Sequence, residues 1–476
     1  MRIIEVYKEF NMRYLILLMT AFIFSFQTAA QTSLNMNLAY QWSDASLPAS
    51  SAHDNIYNEI WGYEKNGREY AIIGTTAGTH IFDITDVNNV DTVVFIPGKA
   101  QGTQIVHRDY DTYRDYLYIV SDEGNSSLQI VDISMLLDSA PVVYDNNSLI
   151  KTSHNIFIDT IQGNLYTCGG ATNLGANYLS VYSLIADPTN PQFLLNCSND
   201  VPFWNGTIGY VHDIYVQNDI AYCNAGSNGM FVVDFSNMAN VQGLGSITSY
   251  LQQGYNHSGW LHHSGNYYAF ADENHGKDVK IVDVSNLGNI TLKDTVGSNV
   301  IQSLSMPHNL IFNGDNLYVS YYFDGIYVFN TSNFDNVYLA GYYDTSNRPH
   351  NITKYEGNWG IYPFLPSGKI LASDMQEGLF VFDVTFPLGL EERKVQNNLE
   401  FIVFPNPAKS SITVTTTLFE NSVSYTIIDI SGKIVKRGNL LKAQTTLNIE
   451  AINTGFYFFS ITLSNGDVVT KKFLKQ

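Results

Sequence analysis

Short runs of alternating apolar and polar residues fill the chain from about residue 35 to 385, and one of them recurs seven times. Its clearest form is Met230-Phe231-Val232-Val233-Asp234, and its relatives end at Asp83, Asp132, Ser183, Asp283, Asn330 and Asp383. In chain order these marks stand 49, 51, 51, 49, 47 and 53 residues apart. Side chains of a strand point alternately to opposite faces, so each run predicts a strand. The fourth parcel shows four such runs, His212 to Val216, Ile220 to Asn224, Met230 to Phe235 and Leu244 to Tyr250, broken by Asn, Asp and Gly. Four antiparallel strands repeated at a period of about 50 residues predict a seven-bladed β-propeller.

The last parcel stops after its third strand, at Phe386-Pro387-Leu388. At the other end, residues 37–44 resemble the fourth-strand segment at residues 338–344. The N-terminal strand is therefore expected to complete the seventh blade, which removes exposed sheet edges. Longer inserts are expected at residues 172–177 and 355–369. Residues 389–400 are polar and predict a linker. Residues 401–476 carry strand-like runs at Ser411 to Thr416, Ser424 to Ile430 and Gly455 to Ile461, and predict a small Ig-like β-sandwich.

Ahead of the repeats, Met12-Arg13, the apolar run Tyr14 to Phe26 and Thr28-Ala29-Ala30 have the three regions of a signal peptide. Residues 1–30 are assigned to it, with cleavage before Gln31; Glu5 and Glu9 suit a translation start at Met12. Its apolar run is too short for a comfortable membrane span, and no other stretch is a candidate.

Composition agrees with an all-β chain: 476 residues, 45% hydrophobic, 13% aromatic and 35 glycines favour many strands joined by turns. Residues 401–476 hold eight Lys plus Arg against four Asp plus Glu, a net of +4 within a chain total of -19, so everything before them sums to -23. Such an acidic domain repels nucleic acid and anionic lipid surfaces, which excludes both as main partners. Cys168, Cys197 and Cys223 form no CxxC pair. They read as small buried side chains, with one disulfide among them left open.

Aligning the parcels on their first strand puts a polar residue at each start: Asn58, Arg108, His154, His212, His257, His308 and His350. The residue after each is polar too: Glu59, Asp109, Asn155, Asp213, Ser258, Asn309 and Asn351. First strands line a propeller's channel, so these residues should ring one mouth, with His53 and His107 close by. Loops opening on that face carry Asp122, Glu123, Asp272 and Glu273, together with Asp324, Asp374 and Glu377. Imidazole and carboxylate are ligands of zinc-like cations, so a divalent cation is a candidate cofactor. A repeated His serves equally well as a latch bonded to the neighbouring blade's backbone. Trp61, Trp260 and Trp359 offer either sugar-stacking faces or packing between blades. The adjacent His262 and His263 are expected on opposite faces of a strand, unable to share one ion. The recurrent Asp at the end of each third strand is expected to bond backbone amides of the next turn.

Phe404-Pro405-Asn406-Pro407, Asp429 to Lys433, Gly455-Phe456-Tyr457 and the basic terminus resemble the type A sorting domain of the type IX secretion system of Bacteroidetes. That resemblance implies export across the outer membrane by that machinery and removal of the module. Ile60-Trp61-Gly62, Tyr118 to Gly124, His257 to Leu261, Ala271-Asp272-Glu273, His308-Asn309-Leu310 and Gly357-Asn358-Trp359 resemble the choice-of-anchor B family of LVIVD-type repeats, over roughly residues 35 to 390. The family has no established reaction to carry over. The expectation is a secreted or outer-membrane-surface binding module, monomeric, with a protein, glycan or cation as partner. No catalytic residue is assigned. The rival from another class is a metal-assisted hydrolase or lyase, with His212, His257 and His308 as ligands and Asp122, Glu123 or Glu273 as base. A structural envelope protein is the third reading.

Overall fold

The computed structural model of the chain describes residues 32–172, 175–300, 302–385, 401–416, 423–429, 434–462 and 468–476. The expected signal peptide and linker lie outside the described residues, as does most of the 429–433 turn. Two compact units divide the chain, Met1–Leu390 and Glu391–Gln476.

Among the described residues, the first unit is built from seven antiparallel sheets, one five-stranded and six four-stranded. Their first strands are Tyr57–Lys65, Arg108–Tyr113, Asn155–Asp159, Asp213–Gln217, Asn256–Leu261, Pro307–Asn313 and Asn358–Tyr362. Each packs against the next, and Asn358–Tyr362 packs back against Tyr57–Lys65. The N-terminal segment spans two sheets. Ser33–Leu34 adds to the sixth sheet beside Tyr338–Tyr343, and Met36–Trp42 pairs with Gly378–Val384 as the fourth strand of the seventh.

The period-2 pattern explains how the sheets hold one another. In the second sheet Ile119 and Val131 face the first sheet's Ile72 and Ile81, while Tyr118, Val120 and Ile130 face the third sheet's Ile158 and Leu165. Every neighbouring pair shares such an apolar cluster, including the seventh and first, where Leu371, Leu379 and Val381 meet Ile73 and Phe82. Fully burying a Leu or Val is worth about 1.5–3 kcal/mol, so each contact between sheets is stabilised many times over.

The recurrent Asp performs a turn role. Oδ1 of Asp83, Asp132, Asp234 and Asp283 each accepts the backbone N–H two residues on, at 2.8–3.0 Å, and Asn330 does the same at 3.2 Å. The residue after the mark then donates its N–H back to the turn between first and second strands, as Ile84 does to Glu69 and Phe235 to Asp219. Cys168, Cys197 and Cys223 are free, buried and part of one apolar cluster with Trp204. In the second unit, a three-stranded and a four-stranded antiparallel sheet share a core of Phe401, Ile412, Val414, Ile427, Phe459 and Phe473.

One buried ion pair fixes the fifth sheet. Lys280 Nζ lies 2.8 Å from Asp272 Oδ2, both fully buried, and Asp272 also accepts from Tyr250 Oη at 2.9 Å and Gly254 N at 3.2 Å. Asp272→Ala strands the ammonium of Lys280, so urea unfolding should show a loss of about 3–5 kcal/mol. The pair Asp272→Leu with Lys280→Met should recover most of it.

Candidate functional site

Six aromatic side chains meet where the first strands begin. Ring centroids run His107–His154 4.8 Å, His154–His212 4.2 Å, His212–His257 4.1 Å, His257–His308 4.4 Å, His308–Trp359 4.4 Å and Trp359–His107 5.2 Å, a closed circuit. It borders a cavity of about 290 Å³, with Glu273, Tyr322, Tyr355 and His53 completing the wall. His212, His257, His308 and Trp359 are buried, whereas His107 and His154 are partly exposed.

Of the seven aligned positions, His154, His212, His257 and His308 enter the circuit. Asn58 sits at the equivalent point of the first sheet, where its amide donates to Val106 O at 3.0 Å. Arg108 does not enter. Its guanidinium is buried against the first sheet, donating to Thr75 O at 2.8 Å and Ala100 O at 2.7 Å. Elsewhere the ring residue and the channel residue are adjacent, as in His154-Asn155; in the second sheet Arg108 is an extra residue between His107 and Asp109. His350 is also displaced. It lies in the loop before the strand Asn358–Tyr362 and bonds Asp324 through Nε2, so the additional loop length falls ahead of the first strand and Trp359 takes the ring place.

The carboxylates divide. Asp122 Oδ2 lies 3.0 Å from His154 Nδ1, and Glu123 bonds His107 Nδ1 while accepting from Val106 N and His107 N. Glu273 accepts from Tyr322 Oη at 2.6 Å, with Oε2 3.8 Å from His257 Nε2. Asp272 is withdrawn from the mouth by Lys280, because adjacent residues at the strand end face opposite ways. Asp324 binds Ser298 and His350, and Asp374 caps its own turn through Gln376 N and Glu377 N.

The imidazoles are held through Nδ1. His212 Nδ1 donates to His257 O at 3.2 Å and His308 Nδ1 to Trp359 O at 2.6 Å, each across to the next sheet. His257 Nδ1 lies toward His308 O but lacks a hydrogen bond; Ser258 Oγ takes that carbonyl at 2.6 Å. Burial, reinforced by neighbouring histidines, pushes His212 and His257 well below the ordinary imidazole range; burial brings His308 to about 3. These three are neutral at pH 7. Burial also opposes charge on His154, but the Asp122 bond and the Asp122, Glu273 and Glu123 charges outweigh it and raise its pKa. Burial raises Glu273 to about 7.

Below the circuit the channel narrows into a cavity of about 70 Å³ lined by Glu59, Asp109, Asp213, Asn155, Ser258 and Asn309. Burial lifts Glu59 to about 7 and Asp213 to about 6, and burial followed by the Glu59 charge lifts Asp109. At its walls Trp61 donates to Thr112 Oγ1 and Trp260 packs at a tilt against Tyr215, with centroids 4.8 Å apart, so both serve packing. His262 and His263 depart from expectation. The strand ends at Leu261, so alternation stops there, and the two rings lie 4.0 Å apart with Nε2 atoms 3.6 and 3.9 Å from Asp315.

Residues 402–476 match the secretion system C-terminal sorting domain, and residues 110–142, 208–248 and 261–297 match the LVIVD repeat. The chain is thus exported to the cell surface or secreted. No curated protein matches it. Among solved structures, PorZ, an essential surface component of the type-IX secretion system of Porphyromonas gingivalis, has TM-score 0.43 and 11% identity, covering 91% of this chain and 61% of PorZ. The Cps50 (Swd1) β-propeller domain of Myceliophteria thermophila has TM-score 0.48 and 12% identity, covering 74% of this chain and 100% of that domain. The chain thus spans about 61% of PorZ's length. No helix among the described residues is long and apolar enough to cross a membrane.

The His154–Asp122 pair predicts a pH signature. A raised His154 pKa contributes stability below the ordinary imidazole value and loses it as pH rises through the raised one. Asp122 is lowered, because the His154 bond and charge outweigh burial; its contribution holds above the ordinary carboxylate value and fades on acidification. Asp122→Asn should therefore lower the melting temperature more at about pH 5.5 than at about pH 8.5.

Proposed function

We propose that this chain is a secreted or cell-surface binding module: a seven-bladed β-propeller over residues 31–388 whose ligand seat is the His-lined mouth. On this reading residues 1–30 are the signal peptide and 389–400 a linker. Residues 401–476 are an Ig-like sorting sandwich handled by the type IX machinery and then removed.

The observation that carries the reading is the closed circuit of six aromatic side chains around a cavity of about 290 Å³. Its floor is buried imidazole and its rim is aromatic, with His53 against Tyr355 at 5.4 Å and Tyr355 against Tyr322 at 5.6 Å. Ligand sites are concave, largely preformed and furnished with a few convergent polar groups. A cavity of this size admits a sugar residue or one side chain of a protein partner, and a flat protein face cannot fill it. Tyr and His rims with a carboxylate beneath suit a glycan: rings stack on sugar faces and Glu273 accepts a hydroxyl.

An oligosaccharide array probed with the full chain tests the seat. Captured glycans should lose at least about tenfold in signal with Tyr355→Ala, about 1.4 kcal/mol, while Trp260→Ala at the far side leaves capture intact. Capture unaffected by Tyr355→Ala, or no capture at all, contradicts a glycan seat. Deleting residues 402–476 should leave the chain inside the cell, protected from externally added protease.

A further inference from the structure

We propose that the mouth holds one first-row transition-metal dication of the zinc kind between His257, His308 and Glu273, with its remaining coordination position open to the cavity. The inference rests on the mouth being a ligand seat and names the group that would grip the ligand there.

The first argument is the tautomer. His308 donates Nδ1–H to Trp359 O at 2.6 Å, which leaves the lone pair of the neutral ring on Nε2. A metal-bound imidazole needs that state, and its other N–H is ordinarily held by a carbonyl or carboxylate. The backbone latch and the ion site are therefore the same device viewed from two ends of one ring. His257 Nδ1 is directed at His308 O, short of good hydrogen-bond geometry because Ser258 Oγ takes that carbonyl, and the same orientation leaves Nε2 toward Glu273. Both rings are almost wholly buried, His257 at 3% and His308 at 2% exposure.

The second argument is the carboxylate. Glu273 is steered by Tyr322 Oη on Oε1, which leaves Oε2 toward His257 Nε2 at 3.8 Å. One ligand atom from each of His257, Glu273 and His308 falls within 4.8 Å of the others. Tetrahedral bonds of about 2.0–2.2 Å set ligand atoms roughly 3.3–3.6 Å apart, so the 3.8 Å between Glu273 Oε2 and His257 Nε2 needs contraction of a few tenths of an ångström, and a pair at the 4.8 Å limit about 1.2 Å of side-chain movement. Glu273 also supplies the negative charge that a buried dication requires.

Three other clusters compete for the same kind of ion, and in the first, His107, Asp122 and His154, Glu123 already takes His107 Nδ1 while Asp122 is spent on His154 Nδ1. His154, His212 and His257 also converge, but Asp122 favours the protonated form of His154, and that triad has no anionic ligand. His262, His263 and Asp315 converge outside the mouth, where backbone Ser264 N–H reaches His262 Nδ1 at 3.3 Å and favours the proton on Nε2. Two imidazoles and one carboxylate suit zinc, cobalt, nickel or copper and disfavour calcium and magnesium, which take all-oxygen shells.

The test uses the full chain purified without a polyhistidine tag, stripped with chelator, reloaded with zinc or cobalt and passed through gel filtration. Metal analysis should give about one ion per chain, and cobalt should show the intense visible bands of a tetrahedral site. Glu273→Gln should weaken metal affinity at least about tenfold and His257→Gln should abolish stoichiometric binding, while His350→Ala retains it. Circular dichroism melts of each variant separate ligand loss from unfolding. Natively folded wild type that retains no metal overturns the proposal, and so does metal that survives both Glu273→Gln and His257→Gln. Oligosaccharide capture that persists in chelator-stripped protein, yet falls with Tyr355→Ala, removes the ion and leaves the seat standing.

Discussion

The contact between the seventh and first sheets is the constraint on which the rest depends. Leu371, Leu379 and Val381 bury against Ile73 and Phe82, and Met36–Trp42 supplies the outer strand that the seventh sheet lacks. Without that contact His107 and Trp359, some 250 residues apart in sequence, would not approach to 5.2 Å. Closure is thus what turns a repeated strand opening into a circuit of rings. Its driving force is ordinary apolar burial, repeated at seven interfaces, and its cost is the closure of one very long loop, which grows only slowly with length.

Closure also sets the electrostatics. Bringing first strands together buries imidazoles beside carboxylates. Each group then takes the form its neighbours permit: His212, His257 and His308 neutral, His154 shifted by Asp122 toward the charged form, Glu273 raised by burial to about 7. Carboxylates in the narrower cavity below are raised for the same reason. Opposed shifts of this kind cluster at functional sites and in structural networks alike, and the proposed ligand seat takes the former reading.

Much of this was legible in the chain. The period of the Asp marks gave the sheets, because turn chemistry at Asp83 or Asp234 is local and leaves the same trace each time. Four of the ring histidines followed from aligning strand starts. Arg108 and His350 were misplaced because an extra residue and a long loop change the register without changing the residue types that spacing can see. Trp359 was named as a packing or stacking residue but not as the sixth ring member, since position in a circuit is a three-dimensional property. Asp272 looked the equal of Glu273 until the strand's alternation turned it to Lys280. Tyr322 and Tyr355 left no signal at all, being ordinary aromatics in loops. His262 and His263 were assigned by a strand rule one residue beyond where the strand ends.

The central claim is that His212 and His308 are clamped through Nδ1 to the next sheet and present neutral Nε2 atoms to the cavity. Long-range ¹⁵N–¹H correlation of the imidazoles in chelator-treated full-length protein reads tautomer and charge directly. His212 and His308 should appear as neutral Nδ1–H rings that stay neutral down to about pH 5, well above the value of about 3 for His308. Nε2–H tautomers, or rings that become charged near pH 6.5 as free histidine does, would contradict the account.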